Sequence, residues 1–186
     1  MKRRTLLAAL TAAPLAGLAR RLRAAPPKTM QGIEELQKNW KMLLAAGTEV
    51  PNPADKLELK RDEWRKRLAP EAYNVLREEG TERPGSSPLD HEKRPGVFAC
   101  AGCGLPLFTS AMKFDSGTGW PSFFTAIPGM LATKKDFKLI LPRTEYHCAR
   151  CGGHQGHVFD DGPEPTGLRY CNNGVALAFI PQTGKA

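Results

Sequence analysis

GVFACAGCG, residues 96–104, marks the point where the chain changes character. Before it, apolar residues recur at helical spacing. After it come short runs of β-branched and aromatic residues bounded by Gly, Pro and Asp: GVFACA (96–101), KLILPRTEYHCA (138–149), GHVFDD (156–161) and GVALAFI (174–180). Such runs read as strands. They do not alternate with helical segments, so a parallel βαβ sheet is excluded and an antiparallel arrangement follows. The fold class is therefore mainly β (α+β), with a helical N-terminal part lying on a small antiparallel β domain.

Outward from that point, residues 33–46 (IEELQKNWKMLLAA) predict a short helix. Ile33, Leu36, Trp40, Leu43 and Leu44 form its stripe, and Gly47 is its stop. Residues 60–79 predict one or two helices. Asp62 is a candidate cap, Pro70 a break or a new first turn, and Gly80 a terminator. TERPGSSPLDHEKRPG (81–96) is a polar loop rich in turn residues.

The same stretch carries the first of two CxxCG units, Cys100/Cys103 before Gly104 and Cys148/Cys151 before Gly152. Each turn lets two thiolates converge on one ion, and two turns supply four soft ligands, which suits structural tetrahedral zinc. Iron is an alternative. Two disulfides would serve in an exported chain, and a redox role for one pair would leave the other unexplained. Haem attachment would need His where both units have Gly.

That arithmetic leaves Cys171 without a partner, in GLRYCNNG (167–174). A lone cysteine is commonly an inert core residue. On a strand, however, Arg169 and Asn173 would share a face with it, and Arg169 would favour the thiolate. His154 and His157 lie upstream in a Gly-rich segment and can converge if the chain turns there. With four better ligands for a metal, acid–base work suits them. Trp120, between Gly119 and Pro121, fills a core or offers a flat apolar wall to a ligand.

The 186 residues suffice for one domain with a sizeable core. The formal charge of +8 belongs to the N-terminus: residues 1–25 hold Lys2, Arg3, Arg4, Arg20, Arg21 and Arg23 and no acid, leaving 21 cations against 19 anions beyond them. A near-neutral body argues against nucleic acid. Residues 1–25 have the layout of an export signal, too short and weakly apolar for a membrane span, and Arg3-Arg4 before TLL resembles a twin-arginine signal. The alternative is a basic N-terminal extension. The expected division is a signal over 1–25, a linker and extra helix over 26–55, and one domain over 56–183. The expected location is periplasmic or exported, or cytoplasmic without the signal.

ERP, CAGCG, FDSGTGWPSF, RTE and CARCGGHQGHVFDDGPEPTGLRYCNN together resemble the B-type methionine sulfoxide reductases, from about Glu63 to Pro181. The resemblance implies two antiparallel sheets with N-terminal helices, and zinc on the two CxxC pairs. It implies Cys171 as nucleophile toward methionine-R-sulfoxide, with His154, His157, Arg169 and Asn173 around the sulfoxide and Trp120 against its methyl group. Oxidised proteins would be substrates, a thioredoxin-like protein or small thiol the reductant, and the chain a monomer. Many members of the family carry a resolving cysteine where this chain has Thr118, so direct reduction by external thiols is expected. The competing readings are a zinc-binding interaction module without enzymatic activity and an iron-bearing electron carrier.

Overall fold

A computed structural model describes residues 27, 29–137 and 142–183; the expected signal at 1–25 and residues 138–141 of one expected strand lie outside them. Among the described residues three α-helices come first: α1 (Met30–Lys38), α2 (Arg61–Arg67) and α3 (Pro70–Glu78). Thr29 caps α1 by accepting from the Gly32 N–H at 3.2 Å. The segment expected as one helix over 33–46 breaks at Asn39 and continues as a single 3-10 turn, Trp40–Leu43. Its stripe is nonetheless real, with Ile33 and Trp40 buried.

Residues 60–79 form two helices, and Pro70 occupies the first turn of the second, where its missing N–H costs nothing. Asp62 is not the cap. Lys60 holds that position, and the Glu63 carboxylate reaches back to accept from the Lys60 N–H at 2.7 Å, one half of a capping box. α3 ends with Glu79 in the left-handed region just before Gly80.

Among the described residues nine strands follow: β1 (Gly96–Cys100), β2 (Pro106–Thr109), β3 (Lys113–Phe114), β4 (Ser122–Phe123), β5 (Leu131–Asp136), β6 (Arg143–Cys148), β7 (His154–Phe159), β8 (Arg169–Asn172) and β9 (Leu177–Pro181). They make a three-stranded sheet in the order β2-β1-β9 and a six-stranded sheet in the order β3-β4-β8-β7-β6-β5, with every adjacent pair antiparallel.

Aromatic side chains bind the two sheets together. Phe98 and Phe108 from the small sheet meet Phe123 of the large one, the latter stacked on Phe108 at 4.0 Å between centroids. Tyr146 sets its ring edge to face with Phe108 and with Tyr170. Phe98, Phe108, Phe123 and Tyr146 are fully buried, and burying each such ring contributes about 2 kcal/mol or more. α3 covers one side through Val75 and Leu76 and packs against β7.

Candidate active site and metal site

Period-two alternation turns Tyr146 and Asn172 inward. There the Tyr146 hydroxyl donates to Asn172 Oδ1 at 2.8 Å. The opposite face carries a continuous cross-strand row. Ser122 of β4 stands opposite Cys171 of β8, Cys171 opposite His157 of β7, and His157 opposite Glu145 of β6. Directly opposed residues have Cβ atoms about 5 Å apart, so the register alone places thiol beside imidazole. The close approach of β7 to β8 depends on Gly156, because a Cβ there would collide with the Cys171 carbonyl.

Residues three apart on a regular strand point to opposite faces. The His154 and His157 rings nevertheless lie 5.5 Å apart. The cause is a register shift between Tyr146 and His147, which pairs His147 with His154 and leaves Gln155 as an extra residue on β7. A bulge, not the expected turn, brings the imidazoles together. Their situations differ. His157 lines a cleft with Trp120, Phe159, Arg143, Cys171 and Asn173, of about 140 Å³. His154 is 3% exposed and lies behind it, with Nδ1 2.9 Å from Glu145 Oε1.

Each imidazole thus lies beside a carboxylate, but only His157 hydrogen-bonds to it, His154 Nδ1 having no hydrogen-bond partner among the described residues. His157 Nε2 is 2.8 Å from Asp136 Oδ2, and the same oxygen accepts from the Arg143 guanidinium at 2.6 Å. Burial holds the His157 pKa below its ordinary value, against the pull of Asp136.

Arg169 is beside Cys171 as expected, outside the cleft lining. Its guanidinium donates two bonds of 2.7 Å to Asp161 and lies 4.4 Å over the Phe159 ring. It draws the Cys171 thiol pKa down, and so does the Thr118 hydroxyl. Burial is nevertheless the larger influence, and the thiol ends above its ordinary value. Arg169 therefore favours the thiolate, as expected, but a sulfur largely enclosed by protein loses more hydration than one already paired guanidinium returns.

Asn173 lies one residue beyond β8 and faces the cleft. Its Oδ1 accepts from the Glu82 N–H at 2.9 Å, and its Nδ2 donates to the Gln155 carbonyl at 3.0 Å. That leaves one amide hydrogen for a ligand. Trp120 Nε1 donates to the Glu82 carbonyl at 3.2 Å. The Glu82 carboxylate accepts from the Gly174 and Val175 N–H groups at 2.6 and 2.8 Å. One residue thereby fixes the aromatic wall, the asparagine and the turn that follows it. Asp136, Arg143, Glu145, Asp161, Gln155, Phe159 and Glu82 escape sequence reasoning, because their places at the site are set by strand pairing and loop contacts rather than by local spacing.

The four paired cysteines are buried and unbridged, their sulfurs all within 4.8 Å of one another. Cys100 and Cys151 are 3.7 Å apart and Cys103 and Cys148 3.5 Å. Four sulfurs at about 2.3 Å from a tetrahedral ion stand roughly 3.8 Å apart, so the cage fits a metal and not two disulfides. Gly104 and Gly152, with φ of +74° and +66°, let each knuckle close through bonds to the Cys100 and Cys148 carbonyls. Glycine adopts such left-handed backbone without a steric penalty. Gln155 Nε2 donates to Cys100 Sγ at 3.4 Å, linking this cage to the other site.

A thiol, an imidazole backed by a carboxylate and an aromatic wall in one cleft, beside four cysteines that could hold a metal ion, define a thiol enzyme. The SelR domain family matches residues 68–181. The peptide methionine sulfoxide reductase MsrB of Methanosarcina mazei is 49% identical over 134 residues, covering 70% of this chain and 96% of that protein. The corresponding protein of Agrobacterium fabrum is 52% identical over 120 residues, 64% of this chain and 89% of that one. Peptide methionine sulfoxide reductase B1, chloroplastic, of Arabidopsis thaliana is 52% identical over 120 residues, 64% and 59%. The chain belongs to the peptide methionine sulfoxide reductase B family and is an oxidoreductase.

Proposed function

We propose that Cys171 reduces methionine-R-sulfoxide by taking its oxygen, and that it does so without a partner cysteine. The observation that carries this reading is the direct pairing of Cys171 with His157 in a cleft walled by Trp120. Burial keeps thiol and imidazole both neutral at rest. When a sulfoxide enters, the thiol proton passes to His157, and the Asp136 carboxylate steadies the imidazolium. The thiolate attacks the sulfoxide sulfur while His157 returns the proton to its oxygen, and the hydroxyl then passes to the Cys171 sulfur as the new S–S bond and the old S–O bond break.

The oxygen ends on Cys171 as a sulfenic acid, and methionine leaves reduced by two electrons. A first external thiol displaces water to give a mixed disulfide, and a second releases Cys171. Trp120 and Phe159 receive the S-methyl group and the polar groups receive the oxygen, so exchanging the two substituents mismatches both and selects one epimer.

Zinc suits the four thiolates of Cys100, Cys103, Cys148 and Cys151, where it would supply structural cross-linking and no redox chemistry. Oxidised proteins are the substrate class and thiols the reductant. Among the described residues, no helix is long and apolar enough to cross a membrane. The N-terminal pattern supports export through a twin-arginine route, in keeping with protein repair outside the cytoplasm. Replacing Arg3 and Arg4 by Lys should then block export, and delivery at the normal rate would refute the route.

The central test is a single turnover without reductant. One equivalent of methionine-R-sulfoxide should yield one methionine and a dimedone-reactive Cys171, and Cys171→Ser should yield neither. A disulfide from Cys171 to any of the four cage cysteines, formed at the rate of turnover, would overturn the lone-cysteine mechanism.

A further inference from the structure

Behind Cys171 runs a row of three hydroxyls that the chemistry above leaves unused. Ser122, directly across from Cys171 on β4, is fully buried. Its Oγ is 2.7 Å from Ser116 Oγ, which is 2.8 Å from Thr118 Oγ1. Thr118 ends the row, close enough to the Cys171 sulfur for its hydroxyl to draw the thiol pKa down. At the far end the Ser122 hydroxyl donates to the Trp120 carbonyl at 3.1 Å.

A hydroxyl gives one proton and accepts through its lone pairs, so such a row has two self-consistent directions. With a neutral thiol, Ser122 donates to the Trp120 carbonyl, Ser116 to Ser122 and Thr118 to Ser116, leaving the Thr118 oxygen to accept from S–H. With a thiolate, Thr118 turns its proton to the sulfur, Ser116 donates to Thr118 and Ser122 to Ser116. Only the bond to the Trp120 carbonyl is given up. Every hydroxyl keeps a partner in both states, and only hydrogens need rotate.

We propose that Thr118 is a further catalytic residue of this site, a switchable donor to the Cys171 sulfur whose reversal is carried by Ser116 and Ser122. The proposal rests on Cys171 being the nucleophile. Thr118 then offers something a fixed cation does not, since it accepts from the thiol before proton transfer and donates to the sulfur after it. Charge that develops on a sulfur short of water is met by a donor already in place.

Thr118→Val keeps the shape and removes the hydroxyl. The pH dependence of Cys171 alkylation by iodoacetamide, read by peptide mass spectrometry on the metal-loaded chain, should move up by about one pH unit, the size of a hydrogen bond to a charged group. The single-turnover rate should fall up to about tenfold at neutral pH and recover as the pH is raised. Thr118→Ser should restore both, and Ser116→Ala should give a smaller shift in the same direction. Metal content equal to that of the unaltered chain serves as the check on folding. An unchanged alkylation profile, or a loss of rate that is the same at every pH, would overturn the relay. Full turnover by Cys171→Ser would instead sink the nucleophile assignment, so the two failures are distinguishable.

Discussion

At the scale of single residues, the site balances a thiol that burial holds protonated against an imidazole that burial holds unprotonated. Asp136 decides how readily the proton can cross, because it is the acceptor on His157 Nε2. Asp136→Asn should lower the His157 pKa further and slow single turnover about tenfold or more, the usual scale for a group that supports general acid–base catalysis. An NMR titration of His157 checks the direction, and an unchanged or higher value would sink this role. The linkage has a definite sign. The folded pKa is depressed, so the unfolded chain binds more protons than the folded one as pH falls through the ordinary histidine value, near 6.5. His157 therefore costs stability on acidification and none at neutral pH. The sequence made Cys171, His157 and Arg169 legible because their chemistry is local: an unpaired thiol, and a cation two residues away on one strand face. Asp136 was not, since it sits near the tip of the β5–β6 hairpin and meets His157 only through folding. The sign of the Cys171 shift was equally hidden, because burial belongs to the fold and not to the neighbours in sequence.

Elements add what residues cannot hold by themselves. The polar stretch at 81–96 reads as a loop, and most of it is irregular, but Glu82 within it reaches Trp120, Asn173 and the 3-10 turn Gly174–Ala176. Its carboxylate is pushed up by burial and held back by the Gly174 and Val175 N–H groups. Glu82→Ala should leave both of those donors unpaired, at a cost of about 2 kcal/mol or more. The looser turn should raise KM for methionine sulfoxide severalfold, with little change in the alkylation rate of Cys171. Glu82→Gln retains one acceptor oxygen and should fall between. A fall in kcat with KM unchanged would show that the clamp does not govern binding. Such long-range clamps leave no periodic signal. Neither does the β7 bulge that brings His154 to the side of His157, although the Gly-rich HQGH segment marked a departure from regular backbone. Strands β1, β6, β7 and β9 showed as apolar runs, and β2 did not. β3, β4 and the exposed, lysine-bearing β5 did not, because two-residue strands and a solvated edge lack alternation.

For the whole molecule, the four-cysteine cage joins what the aromatic core only stacks. Cys100 ends β1 in the small sheet and Cys148 ends β6 in the large one, and each knuckle adds its second cysteine from the following turn. This doubled motif was the most legible feature of the sequence, since ligand type and spacing are themselves the site. What spacing could not show is that the cage also bears on the cleft. Gln155, fully buried, donates to Cys100 Sγ, and its carbonyl accepts from both the backbone N–H and the side-chain amide of Asn173. Metal binding at a four-thiolate site of this kind is folding free energy, on the order of 10 kcal/mol in small zinc domains, so its loss should reach the substrate side through this path. Cys148→Ser should lose the metal and lower the unfolding midpoint by roughly 10 °C or more, since a few kcal/mol is a large shift for a domain of this size. Chelation of the unaltered chain by a thiol-competent chelator should do the same, and the Asn173 side-chain amide resonances should broaden before global unfolding. Calorimetry with and without chelator, alongside NMR of Asn173, separates the outcomes. A metal-free chain that melts at the original temperature would show that the cage is not a folding cross-link. Sharp Asn173 resonances up to the melting point would show that cage and cleft are independent, with Gln155 merely filling the space between them.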